Sequence, residues 1–369
     1  MKRFFACLLT LLILGCVSHP ETDSDDLSVF ECDTFEIKYA KGFEVIHGAD
    51  FTKIITKSLP DNDFFRDSIL LPHTANLPEG AIKFCNGPLR RACCQSLTHI
   101  AFLDKLQSVD CVNGLCAMDY VADEELYGRL VKNGVEEICN GEQIQSEILL
   151  KLAPDIFFMY PFGDAMQADF SEKGITTLLI AEYLEESQLA RLEWIKLFGL
   201  LVGRADEATD YFDKVEADYL EMETTIGDGS PTFLMNLPYG DSWFMPSSRS
   251  VGVELIEDAG LTYLYSRDDG TENVPRSLEE VWGDGTVADW WIIIAERPAG
   301  FSMADLLAEN EVYREFESVK RGDVLMCNTT EVDYFAKGVV EPDVILRDLR
   351  FHMSKGWMKH EPVYFFRLE

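Results

Sequence analysis

Positive charge is what this chain has least of. Its 32 lysines and arginines face 65 aspartates and glutamates, a formal net charge of −33. Nucleic acid is bound by neutralising phosphates with lysine and arginine, so this balance excludes it as a partner. It also argues against electrostatic adhesion to anionic lipid. The six histidines, at 19, 47, 73, 99, 352 and 360, are scattered, and no Cys-x-x-Cys pair occurs. No metal site and no cofactor are therefore expected. No Gly-x-Ser-x-Gly elbow and no Gly-rich phosphate loop is present, and "PSSRS" does not replace one. Asp164 and Asp169 form a possible carboxylate pair, in an ordinary loop. Catalysis is not expected.

The 369 residues, 47% of them hydrophobic, are enough for two domains with cores of their own. The start is distinctive. "MKRFF" is basic, "ACLLTLLILG" is apolar but too short to span a bilayer, and "LILGC" ends at Cys16. This resembles a bacterial lipobox, in which the cysteine is lipidated and becomes the new N-terminus. A polar tether, "VSHPETDSDD", follows. The expectation is a signal peptide with lipidated Cys16 over 1–16, a flexible tether over 17–29, and no later transmembrane helix. That places the protein facing the periplasm of a Gram-negative bacterium on a lipid anchor, in either membrane. Cys7 would be removed, leaving eight cysteines in an oxidising compartment. Cys111 and Cys116 are the expected local disulfide, flanking a "VNGL" turn.

Residues 30–60 carry short alternating runs, "FEIKYA", "FEVIHG" and "FTKIIT", with "AKG" as a turn. They predict a small antiparallel β extension within 30–88, with turns filling its later part. From there strand and helix alternate: "RRACCQ" before "SLTHIAFLDKL", "EILLKLA" before "PDIFFMY", then "GITTLLIA". Residues 187–226 are helix only; Ala208, Phe212, Val215 and Tyr219 fall at helical spacing. Strand and helix alternate again from "TFLMNL" to "PDVILRDLRFHM". The implied fold is α/β: two Rossmann-like lobes, 89–186 and 227–369, joined by a long helix within 187–226, after a small N-terminal antiparallel β extension. Two such lobes hold a cleft between the carboxyl ends of their strands.

Over residues 88–369 these pieces, in this order, resemble the substrate-binding protein of an ABC importer, in the branch serving cobalamin, haem and ferric siderophores. The matching segments include "SEILLKLAPDIFF", "AEYLEESQLARLEWIKLFGLLVG", "DEATDYFDKVEADY", "SLEEVWGDGTVADWWIII" and "VVEPDVILRDLRFHM". The resemblance implies capture of a small-molecule ligand without chemistry, delivery to permease and ATPase subunits, and small lobe closure. It also implies one exposed glutamate per lobe for permease docking. Glu147 and Glu279 match, each in the first turn of a helix. In "SLEE", Glu280 is expected to bond back to the helix start and leave Glu279 free.

"NLPYGDSWFMPSSRS" would leave a second-lobe strand at its carboxyl end. Tyr239, Trp243, Phe244 and Arg249 then stand at the cleft mouth, as aromatic walls and a cation for a macrocycle or chelate. On the first lobe, Ser96 and Thr98, Tyr120 of "MDY", and Tyr160 and Phe162 of "YPFG" end strands. Asp333 and Tyr334 of "VDYF" follow the last strand. Glu331-Val332-Asp333-Tyr334 stands where the family pattern has an Asn-Asp-aromatic turn, which leaves the ligand class open. Two other readings stay open. One is a scaffold lipoprotein using the β extension as its interface. The other is a hydrolase or chelatase, which would need ionisable residues clustered at the cleft floor.

Overall fold

The computed structural model describes residues 33–34, 36–58, 65–73, 88–141, 143–161, 170, 173–354 and 356–369. The lipobox, Cys16, the tether, Phe162, Asp164 and Asp169 lie outside them. Residues 32–369 form a single compact unit.

The N-terminal extension is a four-stranded antiparallel sheet in sequential order: β1 (Asp33–Thr34), β2 (Phe43–His47), β3 (Phe51–Lys57) and β4 (Arg66–Pro72). β4 falls where only turns were expected. "RDSILLP" carries its buried residues, Ile69 and Leu71, at the two-residue period of a half-buried strand. The apolar face does not look outward. Phe43, Val45, Ile54 and Ile69 join the first lobe's core, and the Phe43 ring stacks obliquely 5.0 Å from Trp194.

The first lobe is a parallel sheet ordered β11-β10-β5-β6-β7. Its strands are β5 (Ala92–Cys94), β6 (Val112–Leu115), β7 (Glu136–Glu137), β10 (Ile156–Met159) and β11 (Thr177–Leu179). β8 (Cys139–Asn140) and β9 (Gln143–Ile144) form a small hairpin beside it. Helices α1 (Leu97–Lys105), α2 (Glu124–Lys132) and α3 (Ser146–Leu152) connect the strands. β5 and β10 are buried along their whole length, as strands covered on both faces must be. "VNGL" is therefore not a turn but strand β6. At ~3.3 Å per residue an extended run holds Cys111 and Cys116 roughly 16 Å apart, beyond disulfide reach. Cys116 pairs with Cys139 instead, their Cα atoms 4.9 Å apart. Cys111 is a buried free thiol, pushed up to about 12 by burial.

α4 (Gln188–Val202) and α5 (Ala205–Met222) follow. Gly203 closes α4 at a φ of 71°, a left-handed conformation that glycine adopts without strain. α5 packs on α4 with Ala208, Phe212 and Val215 in the first lobe's core, and reaches the second lobe's core with Tyr219. A helix anchored at both ends in this way resists hinge bending.

The second lobe repeats the plan in the order β14-β12-β16-β17-β18. Its strands are β12 (Thr232–Met235), β14 (Thr262–Tyr263), β16 (Trp290–Ala295) and β17 (Val324–Asn328), with β18 (Phe366–Arg367) antiparallel at the edge. α6 (Val251–Asp258), α7 (Leu278–Gly285), α8 (Met303–Glu309), α9 (Glu317–Arg321), α10 (Tyr334–Lys337) and α11 (Pro342–Met353) complete it. β13 (Ser242–Pro246) pairs antiparallel with β15 (Asn273–Ser277) in a separate ribbon.

Candidate functional site

Each parallel sheet has one point where the chain reverses its direction of winding. In the first lobe it lies between β5 and β10, in the second between β12 and β16. Crevices open outside the strand carboxyl ends at such points. In the first crevice the Tyr160 N–H donates to Gln95 Oε1 at 3.2 Å. In the second the Trp291 indole N–H donates to the Asn236 carbonyl at 2.8 Å, which fixes the start of the loop carrying Tyr239.

Aromatic side chains follow several of the strand ends. Tyr120 follows β6 and is 74% exposed; Tyr239 follows β12 and is 83% exposed. Phe335, beyond β17, and Phe244, on β13, are also exposed. Tyr160 packs edge-on against Tyr183, ring centroids 6.3 Å apart, beyond β10 and β11. Single exposed aromatics need no explanation. Tyr120, Tyr160, Tyr239 and Phe335, however, each follow the carboxyl end of a parallel strand, and both sheets contribute.

Other expected residues are buried or paired. Trp243 is fully buried. It sits on β13, where side chains alternate: Trp243 and Met245 point inward and Phe244 outward. Its indole N–H donates to the Met235 carbonyl at 3.0 Å, and its ring packs 5.9 Å from Trp291. It is a core residue of the second lobe. Tyr334 packs on Tyr364 and Phe365, leaving Phe335 as the exposed ring of "VDYF". Arg249 pairs with Asp269 at 2.9 Å and with Glu186 at 3.4 Å, so it ties α6 to the residues before α4.

Ser96 and Thr98 do lie at the carboxyl end of β5, but their hydroxyls face inward. Ser96 caps α1. The Thr98 hydroxyl donates to Glu182 Oε1 at 2.7 Å, and Ser96 Oγ lies 2.9 Å from Thr98 Oγ1. Glu182 is buried, and burial raises its pKa against the opposing pull of Arg191 and Thr98. Nothing in the sequence pattern marked this carboxylate, because acidic residues in loops are ordinarily solvated.

The lobes meet at α1, α2 and α10. Lys337 donates to the Asp123 carboxylate, and Lys105 reaches Glu341 at 2.8 Å. Asp333 lines a cavity of about 120 Å³ here with Leu97, Ile100, Val121 and Ala336, and burial raises its pKa. On the other side the Gln188 N–H donates to Glu254 Oε2 at 3.0 Å. Burial, then Asp258 and further carboxylates, push Glu254 from 4.5 up to about 8. Its folded pKa exceeds the unfolded one, so the native state holds the extra proton between those values. Its contribution to stability is present below the lower value and is lost as pH rises through the higher. The melting temperature should fall from about pH 5 to about pH 9, and Glu254→Gln should flatten that fall. Parallel melting curves for both proteins would refute the assignment.

Glu147 and Glu279 are exposed, and neither makes an ion pair or hydrogen bond through its carboxylate among the described residues. Ser277 caps α7 by accepting the Glu280 N–H at 3.2 Å. The reciprocal bond expected from Glu280 does not form, because its carboxylate takes Arg276. Glu279 is nevertheless left free. The sulfurs of Cys116 and Cys139 lie beside the Glu137 carboxylate, but they are bonded to each other. Glu137 accepts the N–H groups of Ala117, Met118 and Cys139.

A family model described as periplasmic binding protein matches residues 106–329. The chain belongs to the periplasmic binding protein family. This is a family of substrate-binding proteins of ABC transporters and not of enzymes, which removes the hydrolase reading. A curated relative, an uncharacterised lipoprotein of the archaeon Methanocaldococcus jannaschii, is 25% identical over 99% of this chain and 96% of its own length. The Gram-negative setting expected from the sequence finds no support, since this relative is archaeal. The triscatecholate siderophore binding protein FeuA of Bacillus subtilis superposes with a TM-score of 0.55 at 13% identity. It covers 73% of this chain and 94% of its own. The molybdate binding protein MolA of Haemophilus influenzae gives 0.58 at 13%, covering 73% and 88%. Both likenesses concern the fold.

Proposed function

We propose that this protein captures a cobalamin-, haem- or ferric-siderophore-type ligand between its lobes and hands it to the permease and ATPase subunits of an ABC importer. One observation carries the reading: aromatics of both lobes, exposed Tyr120 and half-buried Tyr160 on one, exposed Tyr239 and Phe335 on the other, each follow the carboxyl end of a parallel strand. A bare oxyanion needs no aromatic wall; a macrocycle or an aryl chelate does. The tris-catecholate binding protein of like fold supports that class. The lipoprotein name of the archaeal relative supports an anchor on Cys16. Glu147 and Glu279, free on either lobe, are the permease contacts of this reading. The scaffold alternative is disfavoured, because the extension's apolar face is buried against the first lobe.

The test is calorimetric and visible-absorption titration of the soluble form, beginning after Cys16, with cobalamin, cobinamide, haem and ferric catecholate and hydroxamate chelates. Saturable binding of one class at micromolar or lower concentration is the expected result. A folded protein that binds none of them would overturn the cargo class.

A further inference from the structure

Arg191 is left without a role by the fold. It lies in the first turn of α4, which the chain enters from the carboxyl end of β11 through Glu182–Leu184. That route puts the turn level with the cleft. Its charge acts on groups from both lobes, the Glu182 carboxyl beyond β11 and the Tyr334 phenol beyond β17. The same turn meets the second lobe, where the Gln188 N–H donates to Glu254 and its side-chain amide to the Val251 carbonyl of α6.

Its state is unusual. Arg191 is half-buried and its Nε is sealed from solvent, yet among the described residues the guanidinium makes no ion pair or hydrogen bond. The comparably buried Arg129, Arg276, Arg297 and Arg347 each hold a carboxylate, and Arg350 holds a carbonyl. In a chain with 65 acidic residues, partners are not scarce. A desolvated guanidinium left unpaired is unfavourable, so its retention points to a partner that arrives from outside.

The neighbours narrow that partner's chemistry. Glu182 is 2% exposed, and its Oε2 is sealed with no hydrogen-bond partner. It offsets the charge of Arg191 without touching the fork. Thr98 has one hydroxyl hydrogen and gives it to Glu182 at 2.7 Å. The 2.9 Å contact between Ser96 and Thr98 must then carry the Ser96 hydrogen toward Thr98. Neither hydroxyl has a hydrogen left for a ligand. Of Ser96, Thr98, Glu182 and Arg191, the residue that keeps a free donor is Arg191.

We propose that Arg191 is the anion anchor of the cleft and takes a carboxylate, catecholate or phosphate oxygen of the cargo through its open guanidinium edge. Glu182, held by Thr98 and Ser96, acts as a positioning residue. The inference rests on the cleft being the cargo site. A cation held by Glu182 is the opposite possibility. It is excluded by geometry, because the open oxygen of Glu182 is sealed while Arg191 keeps solvent access.

The experiment titrates wild type, Arg191→Gln and Arg191→Lys with haem, haem dimethyl ester, a ferric tris-catecholate and a neutral ferric tris-hydroxamate. Circular dichroism and melting curves establish that each variant is folded. Wild type should bind one of the anionic probes and prefer it to its neutral counterpart. Arg191→Gln should weaken that probe about 10- to 100-fold, the value of a lost charge-assisted hydrogen bond. Arg191→Lys should recover part of the loss, because the charge returns without the planar fork. Equal affinity of wild type and Arg191→Gln for the anionic probe overturns the anchor and leaves the cargo reading standing. Binding of neutral probes alone does the same. Binding of no probe by folded wild type, with cobalamin and cobinamide also tried, overturns the cargo reading and the anchor with it.

Discussion

Replacing Glu147 and Glu279 together by alanine is expected to abolish uptake and leave cargo affinity unchanged. The argument begins with topology. A helix linking two parallel strands runs antiparallel to them, so its N-terminus lies level with their carboxyl ends. α3 precedes β10 and α7 precedes β16, so each glutamate, in its helix's first turn, flanks the cleft on its own lobe. Both are exposed, and the tie between Arg276 and Glu280 keeps a competing carboxylate away from a partner of Glu279. A bidentate arginine–carboxylate pair on each lobe would read both lobes at once. Losing two charge-assisted contacts of about 1.5–3 kcal/mol each should reduce productive docking about 100-fold or more. The macrodipole contribution of each glutamate is about 0.3–1 kcal/mol, so folding should be little affected. Uptake of labelled cargo by cells carrying the cognate permease measures the effect, with calorimetry of the same variant as control. Unchanged uptake would remove the docking role from both residues. Each single substitution should give an intermediate loss.

Most elements of the two lobes were legible because their burial is periodic. Ala208, Phe212, Val215 and Tyr219, spaced for a helix, are the buried residues of α5. "PDIFFMY" and "ADWWIIIA" are apolar without alternation, as strands covered on both faces are. The failures share a cause, which is pairing between distant segments. β13 was hidden in "DSWFMPSS" because its partner, β15, begins at Asn273 and has little apolar content of its own. Without that partner the turn residues dominate the pattern, and Trp243 looks like a surface anchor. With it, alternation along β13 carries Trp243 inward and Phe244 outward. The disulfide failed in the same way, since proximity in sequence says nothing once "VNGL" is extended.

The segments that follow the strands were legible to the resolution of loops and no finer. Strand carboxyl ends follow from the order of elements, so Tyr120, Tyr160 and Tyr239 do lie beyond strand ends. Which side chain of a segment faces the crevice depends on neighbours that only the fold supplies. Tyr334 turns to Tyr364 and Phe365 while Phe335 is left exposed. The Thr98–Glu182 pair was invisible for another reason: Glu182 is buried, and burial of a charged residue contradicts its ordinary pattern.

The same inversion underlies the largest stability effect expected. Glu193 is fully buried on α4, where periodicity alone would put an apolar residue. Its carboxylate accepts the backbone N–H groups of Lys38, Tyr39 and Ala40 at 2.8, 2.7 and 2.9 Å. The Lys196 ammonium, 3% exposed, donates to it at 2.8 Å and lies 4.1 Å from the centre of the Phe212 ring. Glu185 continues the pattern by accepting the N–H groups of Lys41 and Gly42. A side chain at Gly42 would stand 2.8 Å from the Trp194 ring, so the chain passes here only as glycine. Five consecutive amides that belong to no strand are thus satisfied by two carboxylates of the first lobe. Glu193→Ala would strand three of these amides and leave Lys196 buried and uncompensated. Breaking a buried pair from one side costs about 3–5 kcal/mol, and that loss is the expected result in urea denaturation. Limited proteolysis should then cut within residues 36–57 before the lobes are attacked. Glu193→Ala combined with Lys196→Met removes the stranded charge and should recover part of the stability, since an ion pair replaced by apolar groups is often neutral. A single variant as stable as wild type would mean that the extension is held by its apolar face alone, through Phe43, Val45 and Ile54. In that case its attachment would survive loss of the carboxylate and yield to Phe43→Ala instead.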